Sequence, residues 1–341
     1  MVYNSLILFH QVISMVILSI CAALVLALFC ISYYIYRTAF YCREDNRPTP
    51  DVEMKGSQYQ AVRDHIYRIA HVMERYPYES ITIQSHDGLM LHGRYYHLKD
   101  GAPVEIICHG YRSHPYRDCS GGHSLSRKLG YNALVIDQRA HGKSEGNVIS
   151  FGINERLDCQ RWAIYAAQRF GYDTPLILSG LSMGAATVLM ASQLDLPKSV
   201  SAIIADSPYS TPSAIIEKVC RDRRYPVFLC RPMITLAAFL FGKFNIHACT
   251  AKDAVAHAKM PILLIHGEDD RLVPWSMSQE IARACASPVT LEVFPDAGHG
   301  LCYVTDPRKY EQAVVSFLND IPVLRGTINE AYLHEILDVP K

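Results

Sequence analysis

From Val104 to Phe294, short and uniformly apolar runs recur with amphipathic stretches between them. The runs are Val104–Cys108, Ala133–Asp137, Leu176–Ser179, Ala202–Ala205, Ile262–His266 and Val289–Phe294. A strand that is apolar on both faces must be covered on both faces, which requires a parallel sheet between two layers of helix. Helical stretches fit between the runs: one ending at Leu129, one over about 154–170, one over about 183–194. A last helix opens at Asp306–Pro307 and sets Tyr310, Val314, Phe317 and Leu318 on one face. Upstream, Ile81–Gln84 and Leu89–His97 flank His86–Asp87–Gly88, a good hairpin turn. The pattern predicts an α/β fold in one large domain. Ligands on such sheets bind at the carboxyl ends of the strands, so the loops after the strands are where chemistry is expected.

The alternation breaks from about 207 to 258. Two helices are expected there, Pro212–Cys220 and Arg231–Phe241, and the apolar run Met233–Phe241 is too short to span a bilayer. An insertion between two sheet strands at this point is expected to form a small helical cap over the strand ends. The other departure is at the N-terminus. Val12–Tyr36 is almost purely apolar, long enough to cross the roughly 30 Å core of a membrane as a helix. Tyr33, Tyr34, Tyr36 and Tyr41 at its downstream end read as an interfacial aromatic belt. A signal peptide would carry Lys or Arg before the apolar stretch, but none precedes Arg37, so a single-pass anchor is favoured. Arg37, Arg43, Arg47 and Lys55 all lie downstream, which by the positive-inside rule puts the remaining domain in the cytoplasm.

These readings divide the chain into an anchor (1–41), a linker and amphipathic helix (42–77), a core (78–206 and 259–322), a cap (207–258) and a tail (323–341) that holds one more helix. Residues 42–60, with Pro48 and Pro50, read as linker; 58–75 reads as a helix lying on the membrane surface or packing on the domain. Equal numbers of basic and acidic residues, 33 each, argue against a nucleic-acid partner. Eleven cysteines, with no zinc-type spacing and no glycosylation sequon, fit a reducing compartment.

Gly180–Leu181–Ser182–Met183–Gly184 follows an apolar strand and opens a helix of small residues. That context makes G-x-S-x-G a nucleophile elbow, its glycines permitting the tight turn and the helix N-terminus favouring negative charge. A serine nucleophile needs a base, and the base needs an orienting acid. His299, between Gly298 and Gly300, follows the run ending at Phe294 and is the candidate base. Asp270, after Ile262–His266, is the candidate acid; Asp269 beside it and Asp206 at the end of the preceding strand compete for the role. Two backbone N–H groups are needed for the oxyanion. Met183, next to the serine, and Tyr111, in the His109–Gly110–Tyr111 loop after Val104–Cys108, are the candidates. Asp137–Gln138–Arg139–Ala140–His141–Gly142–Lys143–Ser144 lacks phosphate-loop spacing and reads as a structural turn.

Taken together, residues from about 78 to 320 resemble the α/β-hydrolase superfamily. The matching pieces are His109–Gly110, Asp137-x-Arg139-x-His141-Gly142-x-Ser144, Gly180-x-Ser182-x-Gly184, His266-Gly267-x-x-Asp270-x-x-Val273-Pro274 and Gly298–His299. Within it the chain looks like the serine-aminopeptidase and monoacylglycerol-lipase-like group, anchored by an N-terminal helix. The resemblance implies a mostly parallel eight-stranded sheet flanked by helices, a cap after the sixth strand, no cofactor or metal, and Asp270 rather than Asp269 as the acid. It implies an acyl-serine enzyme acting on carboxylic esters. Ser182 at the elbow disfavours haloalkane-dehalogenase chemistry, which uses Asp, and the variants that use Cys. An apolar cap beside a membrane suggests a small-molecule acyl ester or lipid as substrate. Two alternatives stay open: a peptidase or amidase, for which Glu217 and Asp222 are the only acidic cap residues able to meet a peptide amine, and an inactive ligand receptor or scaffold. The run Arg221, Arg223, Arg224 is either a solvated face or a contact for anionic headgroups.

Overall fold

The computed structural model describes residues 2–49 and 57–337; Pro50, Lys55 and the last four positions of the tail lie outside them. Eight strands form one sheet: β1 (Glu79–Gln84), β2 (Met90–Tyr96), β3 (Val104–Cys108), β4 (Asn132–Ile136), β5 (Leu176–Leu181), β6 (Val200–Asp206), β7 (Ile262–Gly267) and β8 (Val289–Phe294). Their spatial order is β1-β2-β4-β3-β5-β6-β7-β8. β2 runs antiparallel to β1 and β4, and the remaining pairs are parallel. This is the architecture the resemblance implies. The hairpin turns where expected: Gly88 takes φ +92°, and Ser85 Oγ donates to Asp87 and accepts from the Leu89 amide.

The long helices are α1 (Val2–Ile35), α2 (Arg63–Glu74), α4 (Ser120–Leu129), α5 (Glu155–Phe170), α6 (Met183–Ala191), α7 (Pro212–Asp222), α8 (Val227–Leu240), α10 (Ser276–Ala284), α12 (Pro307–Asp320) and α13 (Glu330–Leu337). Single-turn helices α3 (Pro115–Asp118), α9 (Ala251–Ala254) and α11 (Cys302–Thr305) complete the set. Two buried cores lie on the two faces of the sheet, one against α5 and α6, the other against α4 and α12. Leu134, fully buried on β4, belongs to the first. Leu134→Ala is expected to lower stability by about 2–5 kcal/mol, because the cavity it leaves adds to the lost transfer energy. Urea unfolding in detergent micelles, with m unchanged, measures this.

Helix α1 is long and apolar enough to cross a membrane, and its most apolar stretch is wholly exposed in this structure. It is a candidate span. The segment after it does not hang free as a linker. A π-helical turn (Tyr36–Phe40) buries Phe40 against Phe151 and Phe244, and Tyr41 bridges to Val148. The Arg47 guanidinium donates to the Gly142 and Gly146 carbonyls. Partners some hundred positions away leave no local mark on a polar, proline-bearing stretch, which is why it reads as linker from sequence. Helix α2 packs on the domain, setting Ile66 against Leu301, and Ala70 and Met73 against Tyr96, Ile107 and Tyr116.

Helix α8 starts a turn earlier than the sequence suggests. The apolar Val227–Cys230 continues the helix upstream of Arg231, which leaves Pro232 inside it. The tail carries α13 as expected, with Tyr332 and Ile336 buried.

Candidate active site

The strand-to-helix turn between β5 and α6 holds Ser182 at φ +56°, ψ −113°, a strained conformation for a residue with a side chain. Close packing forces it. A Cβ at Gly180 would meet the backbone of Gly184, and one at Gly184 would meet the carbonyls of Cys108 and His109. The Ser182 amide donates to the Asp206 carbonyl at 2.8 Å, tying the turn to β6. The hydroxyl is thereby lifted off the strand ends, as the G-x-S-x-G spacing predicts.

His299 arrives from the loop after β8. Its Nε2 lies 2.8 Å from Ser182 Oγ, and its Nδ1 lies 2.6 Å from Asp270 Oδ2. Asp270 is fixed from behind: its Oδ1 accepts from the Leu272 and Val273 amides at 2.9 and 2.8 Å. His266 supports the same turn, with Nε2 2.9 Å from the Val273 carbonyl and 3.2 Å from Asp270 Oδ2. Gly267 is required because a Cβ there would collide with the Ala297 carbonyl. So His266 and Val273 of the motif hold the Asp270 carboxylate, and Gly267 makes room for the histidine loop. Burial opposes the charge on Asp270, but the hydrogen bonds from His266 and His299 outweigh it and hold its pKa well below the usual range. An ionised carboxylate only accepts, so the Nδ1 proton points at Asp270 and Nε2 is left to accept from the serine.

The two rival acids stand elsewhere. Asp269 is exposed. Asp206 accepts from Ser207 Oγ at 2.8 Å, and Ser207 Oγ in turn accepts from the Gly300 amide at 3.2 Å, so it steadies the histidine loop without touching the ring. Burial raises the Asp206 pKa to about 6.

The loop that carries Tyr111 approaches Ser182 at Gly110, and Met183 follows the serine in the chain. Met183 opens α6, so its N–H has no partner within the helix. In the other loop the neighbouring amides are used: Gly110 N–H donates to Asp118 Oδ2 at 2.9 Å, and Arg112 N–H to His141 Nε2 at 3.0 Å. Those two bonds fix the loop on either side of Tyr111. The Tyr111 ring stacks on Phe151, and its hydroxyl donates to the Ala39 carbonyl. His141 belongs to the Asp137–Ser144 segment, which is a structural turn. Asp137 there is paired with Arg94 and His92, and Arg139 with Asp158 and Asp87. His86, Asp87 and Asp158 bring ligand atoms within 4.8 Å of one another, but the Arg139 guanidinium already bridges the two carboxylates.

Ser182, His299 and Tyr111 open on a cavity of about 790 Å³. Its walls include Ile66, Ile69, Leu125, Leu181, Leu301 and Val304. Among the described residues none of its lining comes from 207–258. The expected cap therefore does not line this cavity, whereas Asn46, Arg47, Pro48, Tyr59 and α2 do. Two side chains that sequence reasoning passed over act here. Gln58 Oε1 accepts from the His299 amide at 3.3 Å, and Tyr59 OH donates to the His299 carbonyl at 3.2 Å. Burial pushes the Tyr59 phenol up to about 12, so it remains a donor at neutral pH.

Electrostatics sets a testable pH dependence. Burial alone would lower the His299 pKa, but the hydrogen bond to Asp270 and the charges of Asp270, Asp206 and Asp118 together raise it above the ordinary value. A protonated imidazole cannot accept the serine proton. A rate that depends on this base should therefore fall with about unit slope as pH drops below the raised pKa, and stay level above it. A kcat/KM profile with no acid limb would contradict the assignment.

A profile of the Alpha/beta hydrolase family matches residues 106–313. The uncharacterized protein YqkD of Bacillus subtilis is 24% identical over 243 residues, 71% of this chain and 79% of its own. The lysophosphatidylserine lipase ABHD12 of Danio rerio is 27% identical over 175 residues, 48% of this chain and 42% of its own. In fold the chain is similar to the Pyrococcus furiosus esterase Pf2001, with TM-score 0.59 and 23% identity over 72% of this chain and 91% of that one.

Proposed function

Given that the chain belongs to the alpha/beta hydrolase family, we propose that it is a membrane-anchored serine hydrolase of carboxylic esters, with Ser182 as nucleophile, His299 as base and Asp270 as acid. The observation that carries this reading is the 2.8 Å contact between Ser182 Oγ and His299 Nε2, continued through Nδ1 to Asp270. In the first step His299 takes the serine proton as Oγ attacks the ester carbonyl. The N–H groups of Met183 and Tyr111 receive the oxyanion. The intermediate collapses to an acyl-serine, and His299 gives its proton to the leaving alcohol. Water, deprotonated by the same imidazole, then attacks the acyl group and frees the acid and the serine. Asp270 fixes the tautomer and stabilises the imidazolium in both steps. No metal or cofactor enters this sequence.

The substrate class is an apolar acyl ester or lipid. The aliphatic walls beside Ser182 support it, as does the name of the zebrafish lipase relative. A peptidase reading finds less support. Glu217 is paired with Arg231 at 2.7 Å, Asp222 with Lys218, and neither lines the cavity, so neither acidic residue of the insertion is placed to meet a peptide amine beside Ser182. In this reading α1 is the anchor, and the basic residues after it support a cytoplasmic hydrolase domain.

Labelling by a fluorophosphonate, followed by p-nitrophenyl esters of graded acyl length, tests the reading. We expect labelling of the folded protein and turnover of the esters. Absence of labelling would favour an inactive receptor. Faster cleavage of aminoacyl amides than of every ester would favour the peptidase. Protease protection on sealed vesicles tests the orientation.

A further inference from the structure

Helix α8 is apolar on two opposite sides, with Arg231 and Thr235 on one flank between them. Of its fourteen residues only Arg231 is charged. One side, with Ile234, Ala237 and Ala238, is buried in the domain. On the opposite side Phe228, Leu229, Pro232, Leu236 and Phe239 follow helical spacing in a continuous stripe, with Phe228, Leu229 and Phe239 exposed by 76%, 55% and 65%. A helix with a second apolar side belongs in a core or in lipid, and the second side of this one is not covered by the domain. At about 21 Å it is too short to cross a bilayer.

Its neighbour indicates what covers the stripe. Helix α8 packs directly on the candidate span α1. Phe241, at its end, meets the rings of Phe29, Tyr33 and Tyr36 with centroids 5.1, 5.2 and 5.7 Å away, and Met233 Sδ lies 3.6 Å from Ser32 Oγ. The outward stripe therefore continues the exposed apolar surface of α1. At the other end of α8, the turn from α7 presents Arg221, Arg223 and Arg224, all exposed, with no carboxylate paired to Arg223 or Arg224 among the described residues. A basic cluster at the rim of an apolar surface matches an anionic lipid interface.

We propose that α8 is a second membrane element: it lies in the acyl region of the bilayer that α1 crosses, with Arg221, Arg223 and Arg224 at anionic headgroups. This rests on α1 being a span, and not on the identity of the substrate. The insertion that does not line the cavity thus acts as a float, fixing the domain at the membrane surface by a second contact.

The test uses the full chain in vesicles of phosphatidylcholine and phosphatidylglycerol whose acyl chains are brominated midway, which quench nearby tryptophan. Phe239→Trp is compared with Leu18→Trp in α1 and with Tyr172→Trp, which precedes β5 at the amino end of the parallel strands. The parent chain, with its two tryptophans, gives the background. Phe239→Trp should show blue-shifted emission and quenching of roughly half that of Leu18→Trp or more, as an interfacial helix buried about 5–10 Å requires, while Tyr172→Trp shows none. Quenching of Leu18→Trp without Phe239→Trp would overturn the proposal while leaving the anchor intact. Blue-shifted but unquenched Phe239→Trp would also overturn it, since a protein partner rather than lipid would then cover the stripe. If Leu18→Trp is unquenched, the span itself is wrong and the proposal falls with it. Equal quenching with and without phosphatidylglycerol would overturn the headgroup assignment.

Discussion

Ser182→Ala should reduce ester turnover by about 10⁴- to 10⁶-fold while leaving the fold in place, because the residues of such a site act as a unit and the loss of the nucleophile forfeits the covalent route altogether. Alanine fits the turn: the side-chain oxygen points to His299 and carries no bond that holds the backbone, whereas the amide bond to the Asp206 carbonyl and the glycine contacts persist. The unfolding midpoint should therefore stay within a degree or two of the parent's, an order-of-magnitude expectation for a substitution that leaves the packing unchanged. Fluorophosphonate labelling should vanish in the same variant. Residual activity near that of the parent, with labelling retained, would mean that another nucleophile does the chemistry.

Asp270→Asn should lower kcat by about 10⁴-fold with little change in KM. The amide oxygen can keep the bonds from Leu272 and Val273 that now end on Oδ1, so the turn survives. The amide nitrogen then faces His299 Nδ1 as a donor. That forces the ring proton onto Nε2, where it opposes the serine hydroxyl instead of accepting from it. The loss of negative charge should also shift the acid limb of the pH profile to lower pH, because the ion pair that raises the histidine pKa is gone. Two companions separate this from the other acids. Asp269→Asn should be silent, since that side chain is exposed. Asp206→Asn should cost far less, since its carboxylate reaches the loop only through Ser207. A larger loss at Asp206 than at Asp270 would reverse the assignment.

Much of this was legible from residues alone. β3 and β8 have the bounds that their apolar runs suggest, and the remaining strands differ from their runs by one or two positions, where polar end residues such as Asn132 and Asp206 pair in the ladder. Ser182, Asp270 and His299 could be found because each sits in a motif whose spacing answers a local steric demand, such as the glycine contacts at 180, 184 and 267. What stayed hidden depends on distance along the chain. Gln58 and Tyr59 hold a residue some 240 positions away, and nothing in their neighbourhood announces it. The same holds for Phe40 and Arg47, and for α8, whose outward stripe gains its meaning only beside α1.

The fastening of residues 36–49 to the domain bears on how such an enzyme meets its substrate. Arg112 donates to the carbonyls of Thr38 and Tyr41, and Tyr111 to that of Ala39, so the stem that follows α1 is bolted to the loop beside Ser182. A domain on a slack tether would tumble through a hemisphere and face lipid only part of the time. On the proposed anchor the mouth would ride at a set height and angle, and encounter with a membrane-borne ester would become a search in two dimensions by a catalyst whose heading is already chosen.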